Sequence, residues 1–75
     1  MHTITSKDIG QAVKKARKNQ KLRQRDVAFA SGTGVRFIVD LEKGKETCQL
    51  GKVLHICRML GITINLQLLE DRYGK

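Results

Sequence analysis

The stretch Leu22-Arg23-Gln24-Arg25-Asp26-Val27-Ala28-Phe29-Ala30-Ser31-Gly32-Thr33-Gly34-Val35-Arg36-Phe37-Ile38-Val39-Asp40-Leu41-Glu42-Lys43-Gly44 decides the fold. Its first half reads as a short helix over about Gln24–Ala30, with Val27 and Ala28 turned inward. Ser31-Gly32 stops that helix, because glycine enters the left-handed region at no steric cost. A second helix starts near Val35. Gly34 is an acceptable cap there, although it has no side-chain acceptor. Ile38 and Leu41, three apart, give this helix a buried face. Lys43-Gly44 closes it.

Helices are predicted on either side. One runs from about Ser6 to Asn19, with Thr5 as N-cap and Asp8 as its capping-box partner. Ile9, Val13 and Ala16 keep one face apolar, with Ala12 beside them. Another runs from about Cys48 to Leu60, capped by Thr47 and ended by Gly61. Its stripe is Leu50, Val53, Leu54, Cys57 and Leu60, and Gly51 weakens it by about 1 kcal/mol against alanine. Then the period changes. Ile62, Ile64, Leu66 and Leu68 alternate with Thr63, Asn65 and Gln67, which predicts a strand over 62–69. A helix extension or a frayed end are the alternatives. Residues 1–69 read as one domain and 70–75 as a polar, flexible tail. The fold class is mainly α: four to five helices and a C-terminal strand.

A 75-residue chain is marginal on its own core, so a stabiliser outside the monomer is expected. Cys48 and Cys57 make no disulfide framework. His2 and His55 share no ligand spacing with them, so no metal site is expected. No secretory signal is visible in Met1–Gly10, and no apolar run approaches the roughly 20 residues that span a bilayer. A reducing cytoplasm is the expected compartment. Oligomerisation remains as the stabiliser. A lone strand leaves backbone groups unpaired, and pairing with a second copy across a two-fold axis satisfies them. Ile62, Ile64, Leu66 and Leu68 are the expected dimerisation residues of a homodimer.

The charge points to a polyanion. Fifteen Lys and Arg stand against seven Asp and Glu, for a net +8 and a pI near 10.0. Residues 1–45 carry +7 of that excess. From Lys14 through Lys15, Arg17, Lys18, Lys21, Arg23 and Arg25 there is no acid. Charge alone does not separate nucleic acid from an anionic membrane, or either from a solvated face.

Two short helices joined through a glycine turn, inside a basic helical block, suggest a helix-turn-helix. Leu22-Arg23-Gln24-Arg25-Asp26-Val27-Ala28, Gly32-Thr33, Ile38, Leu41-Glu42 and Gly44 resemble the Cro/repressor-type (XRE) signature without insertion. Leu50, Val53, Leu54, Cys57 and Leu60-Gly61-Ile62 resemble its fourth helix, so the likeness covers about Val13 to Ile62. It implies a lambda-repressor-like bundle that binds double-stranded DNA at an inverted-repeat operator. Within that family, HipB-type antitoxins also end in a dimerising strand. That likeness implies a repressor that partners a HipA-type kinase toxin and represses its own operon.

The resemblance also assigns roles. Gln24 would anchor a phosphate at its helix start, where free amides help; the alternative is a plain helix-start residue. Arg23 replaces the usual cap, losing an acceptor and adding a cation. Arg36 is the candidate base reader, since arginine forks onto guanine; a phosphate contact or a pair with Asp40 are its alternatives. Asp40 could accept from cytosine, position an arginine or reject wrong sequences. Val35 could touch a thymine methyl. Phe37 could meet DNA or fold back on Phe29 or Val39, and Val39 belongs to the same unusual apolar trio. Gly34 leaves the helix start less anchored. Lys43 and Lys45 follow as phosphate contacts. Arg17 is expected to pair with Glu42 beneath the motif rather than face DNA.

No catalytic constellation is visible, so no enzyme and no cofactor are expected. The rival readings are a stand-alone repressor and an interaction adaptor that has lost DNA reading. A membrane-binding peptide is more distant, because the first helix has too narrow an apolar face.

Overall fold

The computed structural model of the chain describes residues 4–68. The predicted tail, 70–75, and residue 69 of the predicted strand lie outside the described residues. Four helices follow one another: α1 Ser6–Asn19, α2 Gln24–Ser31, α3 Val35–Glu42 and α4 Leu50–Met59.

α1 begins with the capping box that its sequence predicts. The Asp8 backbone N–H donates to Thr5 Oγ1 at 3.1 Å, and the Thr5 N–H donates to Asp8 Oδ2 at 3.0 Å. All four helices end alike. A residue just past each helix end donates back across the last turn: Leu22 to Arg17 O, Thr33 to Ala28 O, Lys45 to Asp40 O and Ile62 to Cys57 O, at 2.8–3.1 Å. This closure needs a left-handed residue just before the donor. Gly32, Gly44 and Gly61 supply it at three ends. At the first, Lys21 takes it, with φ 59°.

The core gathers one apolar face from every helix. Val13, Val27, Ala28, Ile38, Leu41, Val53, Ile56, Cys57 and Leu60 are buried together. Burial pushes the Cys57 thiol up from its ordinary pKa. Cys48 is half-buried, and both cysteines are free. α1 lies against α3 at backbone distance. A Cβ added to Gly10 would stand 2.3 Å from the Leu41 carbonyl oxygen and 3.0 Å from that of Glu42. Gly44 is close-packed too, with Lys7 Cα 2.9 Å from an added Cβ.

Two expectations are corrected. α4 starts at Leu50, not Cys48, with Gln49 at its cap and no capping side chain. Residues 46–48 form a turn that tucks Cys48 against the core before the helix begins. The later start changes the stripe. Leu50 is 66 % exposed, while Ile56, left out of the predicted stripe, is fully buried. The second correction concerns the strand. Residues 62–68 form no strand, and none occurs among the described residues. A strand is defined by its ladder, and the described residues offer no second strand to pair with. Ile62 and Ile64 pack on the core, whereas Leu66 and Leu68 are 91 % and 77 % exposed. Among the described residues the fold is therefore mainly helical, with four helices.

Gly10→Ala should cost about 3 kcal/mol, the upper end for overpacking, because the new methyl meets backbone carbonyls that cannot swing away. Lys21→Gly should stabilise by about 0.5–1 kcal/mol by relieving the left-handed backbone. Urea denaturation of both variants checks the two signs.

Candidate nucleic-acid interface

The two halves of the decisive stretch meet over a buried ion pair. Arg17 Nε lies 2.6 Å from Glu42 Oε2, and Arg17 Nη2 lies 3.1 Å from Glu42 Oε1. The side chains are only 9 % and 4 % exposed. Arg17 Nη1 also donates to the Leu22 carbonyl at 2.8 Å, just ahead of α2. This fork satisfies both charges away from water, the condition under which a buried pair is tolerated. Arg17 thus faces inward, although it stands in the middle of the basic run.

Gln24, the first residue of α2, joins the same cluster. Its Nε2 donates to Glu42 Oε1 at 3.1 Å. Its second amide hydrogen stays available to an outside acceptor. At the cap position, the Arg23 N–H donates to Asp26 Oδ2 at 2.7 Å. Asp26 therefore supplies half of a capping box, and less is lost through Arg23 than the sequence implied. The Arg23 and Arg25 side chains are exposed beside this helix start.

α3 is held by Ile38 and Leu41, both buried. Helical geometry turns Arg36, Val39, Asp40 and Lys43 to the opposite side. Arg36 is 87 % exposed and reaches Asp40, with Nε 3.3 Å from Oδ1. Lys45 Nζ approaches the other oxygen of Asp40 at 3.5 Å. Lys43 and Lys45 are exposed. Val35, at 45 % exposure, opens the helix after Gly34, where no side chain caps. Phe37 leans on the core. The ammonium of Lys52, from α4, sits 5.6 Å from its ring centroid. Phe29 is 90 % exposed, so Phe37 does not fold back on it. Val39 is half-buried.

The structure thus brings together Arg17, Glu42 and Gln24 beneath the motif, and Arg36, Asp40 and Lys45 on its outer face. The predicted dimerisation residues divide: Ile62 and Ile64 lie on the core, and Leu66 and Leu68 stand free of it. Three participants escaped sequence reasoning. Lys52 lies beyond the basic half. Gly10 looks like an ordinary helix weakener. Gln20 donates to the Leu60 carbonyl at 2.9 Å, joining residues 40 positions apart that no local pattern links. Among the described residues no three His, Cys, Asp or Glu cluster as a metal site requires, and no helix is long and apolar enough to cross a membrane.

Two short helices at a glycine turn, one with an exposed polar face, define a helix-turn-helix. A helix-turn-helix family profile matches residues 13–67. The chain belongs to this Cro/repressor-type family, whose domain binds double-stranded DNA. It is 52 % identical over 62 residues to a protein of Sinorhizobium fredii (strain NBRC 101917 / NGR234) named as the HTH-type transcriptional regulator y4mF. The match covers 83 % of this chain and 82 % of that one.

Glu42→Gln removes the charge that Arg17 and Gln24 share. A loss of about 3 kcal/mol is expected in thermal or urea melts, since the Arg17 cation stays behind uncompensated. A loss below about 1 kcal/mol would contradict a desolvated pair.

Proposed function

We propose that this chain is a transcriptional repressor that binds an inverted-repeat operator as a homodimer, with α3 in the major groove. One observation carries the reading. α3 is anchored by Ile38, Leu41 and the buried Glu42, and it presents Arg36, Val39, Asp40 and Lys43 on its free side. The major groove admits such a helix and offers a distinct donor–acceptor pattern at each base pair. Arg36 reads a base there, and Val35 and Val39 contact thymine methyls or sugars. Gln24 and the first amides of α2 hold a phosphate, with Arg23 alongside. Gly34 lets the backbone come close to the duplex, and Lys43 and Lys45 add phosphate contacts. Phe37 touches DNA through its free edge only, because its body leans on the core.

The homodimer is supported by the alternating segment that ends the described chain. Ile62, Ile64, Leu66 and Leu68 alternate with polar residues in the sequence, and among the described residues Leu66 and Leu68 are exposed. Antiparallel pairing of this segment between two copies gives a ladder and buries the leucines. Residues 1–69 then form the working domain and 70–75 a tail. The finer role, antitoxin of a HipA-type kinase that represses its own operon in the bacterial cytoplasm, is supported by the resemblance of this short chain to the HipB type.

Fluorescence anisotropy with DNA from upstream of its own gene tests the reading, with random duplex alongside at several salt concentrations. A complex of two subunits per site, ~10³-fold tighter than on random DNA, is the expected outcome. Half-site centres about one helical turn apart should accompany it. Equal, steeply salt-dependent affinity for both duplexes would leave only a polycation binder. Binding to neither would move an interaction adaptor to first place. Co-purification with a kinase encoded beside it tests the antitoxin role.

A further inference from the structure

The acid on the outer face of α3 needs an explanation. A carboxylate that faces DNA repels phosphate, and the surrounding surface is basic. Asp40 nevertheless stands between two cations: its side chain is 20 % exposed, with Arg36 beside one oxygen and Lys45 beside the other. Arg36 reaches away from the helix at 87 % exposure. An exposed pair one turn apart adds little to stability, so its value is not in the fold.

The atom used is informative. Arg36 meets Asp40 through Nε, at 3.3 Å from Oδ1. This is an ion pair rather than a hydrogen bond, and it approaches from the Nε side, so the two terminal nitrogens are left to other acceptors. One plane with two parallel donors matches the O6 and N7 acceptors on the major-groove edge of guanine. Lys45 balances the charge remaining on Asp40, so the carboxylate need not collapse onto the guanidinium end-on.

We propose that Asp40 is a positioning residue: its charge draws the Nε side of Arg36 so that Nη1 and Nη2 fork onto a guanine, and it sets base preference without touching DNA. This rests on the reading that α3 enters the major groove. The competing role, in which Asp40 itself accepts from a cytosine amino group, makes a different prediction.

The test is selection from a duplex pool randomised over about two helical turns, with sequencing of the bound fraction. The full chain, Arg36→Ala, Asp40→Ala and Asp40→Asn are run in parallel, and melting curves confirm that each is folded. The unaltered chain should enrich a guanine in each half-site, and Arg36→Ala should lose that preference by about tenfold. Asp40→Ala should lose it by about threefold while binding random duplex at least as well, because an acid has left a DNA-facing surface. Asp40→Asn keeps an acceptor without the charge and should fall between. An unchanged guanine preference in Asp40→Ala overturns the proposal. So does loss of a cytosine at a neighbouring position with the guanine retained, and so does uniform weakening on every sequence, which marks a structural role. Enrichment of sequence by the unaltered chain with no change in Arg36→Ala also overturns it and leaves the repressor reading standing. No enrichment by the unaltered chain removes both.

Discussion

Arg17 and Glu42 come from positions 25 residues apart and meet in a site almost closed to water. Every part of the motif is tied to that meeting. Arg17 sits in the last turn of α1, Glu42 ends α3, and Leu22 and Gln24 flank the start of α2. An eight-residue helix is not stable alone in water, and α2 and α3 are both that short. Their mutual angle is set by what lies under them. Apolar packing of Val27, Ile38 and Leu41 supplies most of the attraction, but it is tolerant of rotation. A two-pronged guanidinium–carboxylate fork is not. The ion pair contributes orientation, and the apolar core contributes the driving force.

The close approach at Gly10 serves the same geometry from the other side of Leu41. With a carbonyl oxygen 2.3 Å from where a Cβ would stand, α1 can lie directly on the end of α3. That contact brings Arg17, two turns further along α1, within reach of Glu42. The outer face of α3 is thus presented from a buried base. Arg36 at 87 % exposure and Glu42 at 4 % are six positions apart on the same helix. One meets solvent, and the other is fixed.

The charge distribution looks different once the side chains are placed. Net +8 is concentrated in residues 1–45. Arg17 is withdrawn into the interior, and Arg36 and Lys45 share Asp40. Lys52, outside the basic half, stands over Phe37. The run from Lys14 to Arg25 is therefore a mixture of one structural cation and several solvated ones. Composition cannot separate them, because burial depends on what the rest of the chain brings to each side chain.

Local rules sufficed where the physics is local. The capping box at Thr5 and Asp8 and the left-handed glycines at 32, 44 and 61 are decided within a few residues, so the helix boundaries and four-helix order are readable from sequence. The i, i+3 pairing of Ile38 with Leu41 likewise names the buried face of α3 and, by opposition, its free one. The residues around position 48 were misread because a turn that tucks Cys48 into the core competes with helix propensity, and only the packed core decides that contest. Lys21 closes α1 without the glycine that signals such ends. Gly10 and the Gln20–Leu60 bond have no signature, since each depends on a partner brought near by folding. The alternation of 62–68 is a property of the chain, but a ladder is a property of a pair of strands. The sequence by itself determined the four helices, most of their ends and the buried faces of α1 to α3. Tertiary structure alone decided which polar groups are locked inside and which remain free, because desolvation and hydrogen-bond geometry are set by neighbours distant in sequence.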